Sequence, residues 1–176
     1  SKSTNSFMCF MNDKKYVSVE HTLPPIWDSN SKILILGTMP SPKSRENGFY
    51  YAHPQNRFWR IMEILFSETL MDNKEKTAFL LNHGIALWDV IKSCDIVSAS
   101  DSSIKNVVPN DLKIITENCD IKMIFTTGLT AHKLYNKFCY PAVKHEDICF
   151  SSTSPANARK TLADLTDEYK VILNYL

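Results

Sequence analysis

The segment that decides the fold is Ile33-Leu34-Ile35-Leu36-Gly37-Thr38-Met39-Pro40-Ser41. Its run of aliphatic residues predicts a short buried strand, which Gly37 and Pro40 end. After a polar loop the chain continues as Gly48-Phe49-Tyr50-Tyr51-Ala52-His53-Pro54-Gln55-Asn56-Arg57-Phe58-Trp59, and Pro54 predicts the first turn of a helix. A loop between a buried strand and a helix is where open α/β sheets bind ligands. We therefore look for function first in this loop.

Length and composition indicate a single globular domain without a strong overall charge. A chain of 176 residues is long enough to bury one core and short for two domains. The net charge is +1, so any contact with nucleic acid must use a local basic patch. We expect residues 1–21 to form an N-terminal extension and residues 22–176 to form the domain.

The cysteines argue against a metal site. The five are scattered, and no two stand in a C-x-x-C pair, so free thiols in a reducing cytoplasm are the better interpretation. No apolar run approaches the ~18 residues that span a bilayer, and the N-terminus lacks a signal-peptide pattern. We expect a cytoplasmic, monomeric protein with no cofactor, no metal and no membrane contact.

Strand and helix patterns alternate along the chain. Apolar runs predict strands over 32–36, 85–90, 122–127 and 147–150, with a possible further strand at 16–19. Helical spacing predicts helices over 54–66, 74–83, 111–118, 129–138 and 158–176, whereas the Ser- and Asp-rich residues 92–108 predict a surface loop. This alternation predicts an α/β fold, with three α/β/α layers around a central, mostly parallel four-stranded sheet. Loops 37–53, 90–108, 127–130 and 150–157 would then meet at one sheet edge.

That edge combines groups suited to a nucleotide. Residues 37–40 offer backbone N–H groups in a tight turn, Tyr51 offers a ring face, and Lys43 and Arg45 offer positive charge. Aromatic rings interleaved with cations suit an unstacked base between phosphates. A packed aromatic loop with solvated charges is the alternative, and these residues alone leave it open.

The same segments resemble the first motif region of the uracil-DNA glycosylase superfamily. Further matching segments are Gly84-Ile-Ala-Leu-Trp-Asp-Val90, Pro109-Asn-Asp111, Thr127-Gly128 with Ala131, and Ser152-Thr-Ser-Pro-Ala-Asn157. The resemblance is closest to the hypoxanthine-DNA (deoxyinosine) glycosylase branch. Met39 stands where uracil enzymes carry Asn or Asp, and the second motif begins with Ser instead of His or Asn.

The resemblance implies an enzyme that hydrolyses the N-glycosidic bond of a flipped, deaminated base in DNA and leaves an abasic site. Its base-binding residues would be Gly37, Thr38, Met39 and Tyr51, with Tyr51 as the stacking platform and backbone N–H groups beside the leaving base. The Met39 side chain would be a pocket wall. Asp89 and Asp111 are interpreted as structural.

The resemblance leaves the catalytic group open. Asn56 is the candidate for orienting the water, although it could equally tie the loop to the helix start. His53 could protonate a purine nitrogen or be structural, and Ser154 could bind a phosphate or sugar oxygen. Predicted DNA contacts are Ser41, Lys43, Arg45, Ser152, Pro155, Ala156, Asn157 and Arg159.

Three other functions stay possible at this point. A mismatch-specific uracil-DNA glycosylase would share the same motifs. A damaged-DNA-binding module without activity would explain the missing Asn or Asp at position 39. Hydrolysis of free nucleosides is a fourth, weaker alternative.

Overall fold

Four parallel strands form the larger sheet of the computed structural model, which describes residues 15–176. Their order is β3 (Ile85–Asp89), β2 (Ile33–Gly37), β6 (Met123–Thr127) and β7 (Asp147–Phe150). Ile33 lies opposite both Ile85 and Met123, and Gly37 lies opposite Asp89. The predicted α/β fold with a parallel four-stranded sheet is thus confirmed.

The central strand β2 is buried on both faces. Its residues Ile33 to Leu36 have no exposed surface, which explains why the strand is aliphatic throughout instead of alternating with polar residues. The helices around the sheet are α1 (Pro42–Asn47), α2 (Phe58–Phe66), α3 (Asn73–Asn82), α4 (Lys113–Thr116), α5 (Leu129–Leu134), α6 (Tyr140–Val143) and α7 (Leu162–Tyr169).

The prediction of a surface loop over 92–108 is wrong. This region contains β4 (Ile91–Ile96) and β5 (Lys105–Pro109), which join β1 (Val17–Glu20) in a second, antiparallel sheet. Ile91, Cys94 and Ile96 are buried and form a small separate core, whereas Ser93 and Asp95, which alternate with them in β4, are only partly buried. Polar residues dominate the composition of residues 92–108. Two register shifts between β4 and β5 also interrupt the alternation of apolar and polar residues, so the sequence pattern does not predict them as strands.

The helix predicted from Pro54 begins later, at Phe58. Residues before it form turns, in which the Gln55 N–H donates to Nδ1 of His53 and the Phe58 N–H donates to Oδ1 of Asn56. The sequence prediction also missed α1. Its signals were present, because Ser41 caps it, Pro42 opens it and Gly48 ends it with a φ of 68°.

Three other helix predictions change at their ends. The last helix begins at Leu162 instead of 158, because Thr161 and Asp164 form a capping box there, and a 3₁₀ helix (Lys170–Tyr175) follows it. The helix predicted over 111–118 is the single turn α4, and α5 continues as a π-helix over Tyr135–Cys139. None of these changes moves a strand of the larger sheet.

No helix in the described part of the chain is long and apolar enough to cross a membrane. Residues 15–176 also hold no group of three or more His, Cys, Asp or Glu side chains that could bind a metal ion.

The division of the chain into an N-terminal extension and a domain at residue 22 stays a prediction.

One buried carboxylate fastens the start of β7. Asp147 accepts hydrogen bonds from His132 Nδ1 at 2.7 Å, Thr126 Oγ1 at 2.6 Å and Asn136 Nδ2 at 3.0 Å. Burial raises the pKa of Asp147, but these three hydrogen bonds outweigh burial, so the pKa lies below its ordinary value. The stabilisation is therefore present above about pH 4 and is lost as the pH falls through the lowered pKa.

We expect Asp147→Asn to lower the free energy of unfolding at neutral pH by about 1–3 kcal/mol, because three donors lose a charged acceptor. The difference from the wild type should narrow near pH 3. Urea denaturation at both pH values measures it, with the exposed Asp167→Asn as control. An equal difference at both pH values would contradict the assignment.

Candidate active site

Three polar side chains converge on Gly37 at the carboxyl ends of β2, β3 and β6. A Cβ atom on Gly37 would lie 2.4 Å from Asp89 Oδ1, 3.2 Å from the Tyr51 hydroxyl and 3.6 Å from Thr127 Oγ1. The first distance is too short for a real contact, so glycine is required here for close approach and not for its φ. The strand ends thus build a small polar site around a backbone that carries no side chain.

The Tyr51 ring is fixed against the helix that follows it. It stacks on Phe58 with centroids 4.1 Å apart and planes 17° apart, and its hydroxyl lies 3.1 Å from Thr127 Oγ1. Burial raises the pKa of Tyr51, with Asp89 adding to the effect, so the side chain stays a neutral phenol. Its backbone has a φ of 51°, a conformation that costs energy in a residue other than glycine. The Tyr51 ring is therefore held rigidly beside Gly37, and its role as the stacking platform stays a prediction.

The turn after Gly37 leaves backbone donors free. The carbonyls of Gly37 and Thr38 accept hydrogen bonds from Val90 and Ile91. The N–H groups of Thr38 and Met39 find no acceptor within the described chain. They are therefore available to a ligand at this edge, and their contact with a base stays a prediction.

The Met39 side chain packs against the small core of Ile91, Cys94 and Ile96. It therefore joins the turn of the larger sheet to the second sheet. An amide or carboxylate at this position would lose that apolar contact, which gives a packing reason for the thioether.

Sequence reasoning missed a buried pair beside Gly37. His21 Nε2 lies 2.7 Å from Asp89 Oδ2, and the two side chains are 1% and 5% exposed. The interpretation of Asp89 as structural rested on the residue type. The position of Asp89 at the end of a strand, opposite Gly37, is the feature that places its side chain in the site. His21 gave no signal, because it precedes the sheet and reaches Asp89 only in the folded chain.

Asn56 and His53 both contact local backbone. Asn56 Oδ1 accepts from the Phe58 N–H at 2.9 Å, so the predicted structural role of Asn56 is present. The Asn56 amide Nδ2 has no acceptor among residues 15–176, which leaves it available for a second role. His53 Nδ1 accepts from the Gln55 N–H at 3.0 Å. The water-orienting and proton-donating roles stay predictions.

Arg57 holds the second motif loop, residues 151–161, against the first motif. Its guanidinium donates to the carbonyls of Ser154 and Asn157, both at 2.8 Å, and to that of Lys160. Its backbone N–H donates to the Thr153 carbonyl. The positive charge of Arg57 is thus used inside the protein.

The second motif loop is also ordered from within. Asn157 Nδ2 donates to the Ser152 carbonyl at 3.0 Å, and the Ser152 hydroxyl accepts from the Ser154 N–H. The Ser154 hydroxyl accepts from the Ala156 N–H at 3.2 Å, so its assignment to a phosphate or sugar oxygen stays a prediction. Pro155, Ala156 and Arg159 are exposed at the surface of the loop.

The other predicted DNA contacts belong to α1. Ser41 caps the helix, Lys43 is exposed, and Arg45 donates to the Pro40 carbonyl at 3.2 Å. This helix and the second motif loop each follow a strand of the same parallel sheet, so both lie at its carboxyl edge. A separate apolar groove of ≈ 300 Å³, lined by Pro24, Trp27 and Phe49 among others, contains none of the predicted site residues.

Arg57→Lys tests whether the guanidinium holds the loop. Lysine carries its donors on a single nitrogen and lacks the planar fork that reaches carbonyls spread over residues 154–160, so we expect a loss of about 2 kcal/mol in the free energy of unfolding. Chemical denaturation measures it. Arg60→Lys is the matched control, because Arg60 is exposed and donates only to the Gln55 carbonyl, at 3.3 Å, within the described chain. Equal stabilities of the two variants would refute this role of Arg57.

Comparison with known proteins agrees with this geometry. The chain is 32% identical over 108 residues to a hypoxanthine DNA glycosylase of Methanosarcina barkeri, covering 60% of this chain and 68% of the relative. It is 35% identical over 101 residues to a hypoxanthine DNA glycosylase of Methanosarcina acetivorans, covering 56% and 64%. The matched segments thus span about two thirds of each relative.

A solved structure and a family model extend the match over most of the chain. A solution NMR structure from Methanosarcina acetivorans, described as a candidate uracil DNA glycosylase, has a TM-score of 0.75 and 29% identity to this chain. The alignment covers 89% of this chain and 96% of that one. The family model of the uracil DNA glycosylase superfamily matches residues 24–176. The chain therefore belongs to the uracil DNA glycosylase superfamily.

Proposed function

We propose that this chain removes hypoxanthine from deoxyinosine in DNA and leaves an abasic site. The observation that carries the proposal is the polar site around Gly37, which has a fixed aromatic ring on one side and free backbone donors in its turn. The relatives named hypoxanthine DNA glycosylase support the choice of base.

The reaction requires the nucleotide to leave the duplex, because the glycosidic bond is not accessible within the base stack. Tyr51, backed by Phe58, would stack on the flipped base. As the bond from C1′ to the base nitrogen breaks, the electron pair moves onto the base and the sugar becomes cationic. The free N–H groups of Thr38 and Met39 would stabilise the negative charge on the base.

Water then adds to C1′, and its proton is transferred to complete the released base. We propose that the free Asn56 amide orients this water while the Asn56 carbonyl oxygen holds the start of α2. His53 is the candidate for donating a proton to a purine nitrogen, and Ser154 is the candidate for a sugar or phosphate contact. None of these steps needs a cofactor.

The DNA strand would lie across α1 and the second motif loop. Lys43, Arg45 and Arg159 would contact phosphates, together with the hydroxyls of Ser41 and Ser152. Pro155, Ala156 and Asn157 would occupy the space that the flipped base leaves.

Duplexes that contain deoxyinosine, deoxyuridine or deoxyxanthosine test the substrate. With enzyme in excess, followed by alkaline cleavage of abasic sites, we expect the fastest release from deoxyinosine. Faster release of uracil would favour a uracil-DNA glycosylase, and binding without release would favour the inactive module. Absence of hypoxanthine release contradicts the proposal.

Two substitutions at Asn56 separate catalysis from capping. Asn56→Ala should lower the single-turnover rate on deoxyinosine by ~100-fold or more, and it should also lower the melting temperature. Asn56→Ser retains an acceptor for the Phe58 N–H, so it should restore the melting temperature without restoring the rate. A serine variant with wild-type rate would show that Asn56 only caps the helix.

A further inference from the structure

We propose that the buried pair of His21 and Asp89 selects the base by accepting a hydrogen bond from N1–H of hypoxanthine. This inference rests on the proposed function, and it assigns to Asp89 a role in specificity. His21 is a positioning residue, since it acts through Asp89.

One oxygen of the Asp89 carboxylate is hydrogen-bonded, and the other has no partner within residues 15–176. Oδ2 is bound to His21 Nε2 at 2.7 Å, whereas Oδ1 has no hydrogen-bond partner in the described chain. The unpaired polar side-chain atoms that are fully buried within residues 15–176 are Trp88 Nε1 and Glu168 Oε2. Asp89 Oδ1 therefore retains contact with solvent although its side chain is only 5% exposed.

The free oxygen lies in the site that would hold the base. It would be 2.4 Å from a Cβ on Gly37, and the Tyr51 hydroxyl would be 3.2 Å from the same point. Because this oxygen is accessible and has no donor within residues 15–176, a ligand can supply one of the hydrogen bonds that a carboxylate accepts. A flipped base stacked on Tyr51 would bring its polar edge to this oxygen.

The chemistry of the bases then decides which of them fits. A carboxylate can only accept hydrogen bonds. Hypoxanthine carries a hydrogen on N1 beside its C6 carbonyl, as every deaminated base carries an N–H next to a carbonyl. Adenine has an unprotonated N1 in the same place, and its lone pair would face the carboxylate. Asp89 would therefore admit hypoxanthine and reject adenine, its parent base.

His21 fixes the orientation of the Asp89 carboxylate and so the direction in which Oδ1 points. The His21 ring lies against Tyr50 and edge-on to Trp88, with centroids 6.0 and 6.5 Å away, and its backbone N–H donates to the Lys92 carbonyl. These contacts prevent the ring from turning away from Asp89. The family model matches residues 24–176. His21 therefore lies outside the matched segment, whereas Asp89 lies within it.

The test compares two leaving bases of similar size in otherwise identical duplexes. Deoxynebularine carries unsubstituted purine, which lacks both N1–H and the C6 oxygen of hypoxanthine. With enzyme in excess, we expect the wild type to release hypoxanthine about 10- to 100-fold faster than purine, the range expected for a hydrogen bond to a charged group. A wild-type ratio near one overturns the inference without any variant.

Substitutions at Asp89 and His21 then test whether these residues cause the preference for hypoxanthine over purine. In Asp89→Asn the amide oxygen faces His21 and the amide nitrogen becomes a donor toward the base, so the hypoxanthine-to-purine ratio should fall at least ~10-fold. His21→Phe keeps the ring shape but loses the hydrogen bond, and it should lower the ratio too. His21→Gln restores a donor and should recover part of the ratio.

Asp147→Asn is the matched control, because it alters a second His–Asp contact of 2.7 Å, in which the Asp147 side chain is 3% exposed and that of His132 is 37% exposed. It should change stability and leave the ratio unchanged. An equal fall in both rates for Asp89→Asn would overturn the inference and indicate a role in a step common to both bases. Release of neither base by the wild type would instead refute the proposed function.

Discussion

The site depends on the register between β2 and β3, which places Gly37 opposite Asp89. The missing Cβ at Gly37 lets the Asp89 carboxylate, the Tyr51 hydroxyl and Thr127 occupy one small volume. Any larger residue at position 37 would meet a carboxylate that His21 already holds in place. Because the strands are parallel, the loops after them reach the same edge and can share a ligand.

A single cation, Arg57, holds the second motif loop in place. The Arg57 guanidinium satisfies three carbonyls of the second motif loop, so residues far apart in the chain are held as one surface. The same residue directly precedes α2, whose Phe58 supports the Tyr51 ring. The Tyr51 ring and the second motif loop are therefore fixed through adjacent positions. This rigidity suits the proposed binding of an extruded base in one orientation.

Where sequence reasoning failed, the missing information was long-range. The strands of residues 91–109 carry a polar outer face, and their few buried side chains become a core only when β1 and Met39 cover them. Nothing near His21 in sequence indicates a carboxylate partner 68 residues away. The late start of α2 was hidden because Asn56, and not Pro54, controls the first turn.

The sequence by itself determined the parallel α/β sheet, the strand and the loop that carry the site, and the resemblance of its motifs to the uracil-DNA glycosylase superfamily. Those features are local, since aliphatic runs, proline, glycine and motif residues act within a few positions. The tertiary structure decided which polar groups meet at Gly37, which cation closes the second motif loop and which histidine orients Asp89. Such pairings depend on strand register and chain crossing, and no local pattern encodes them.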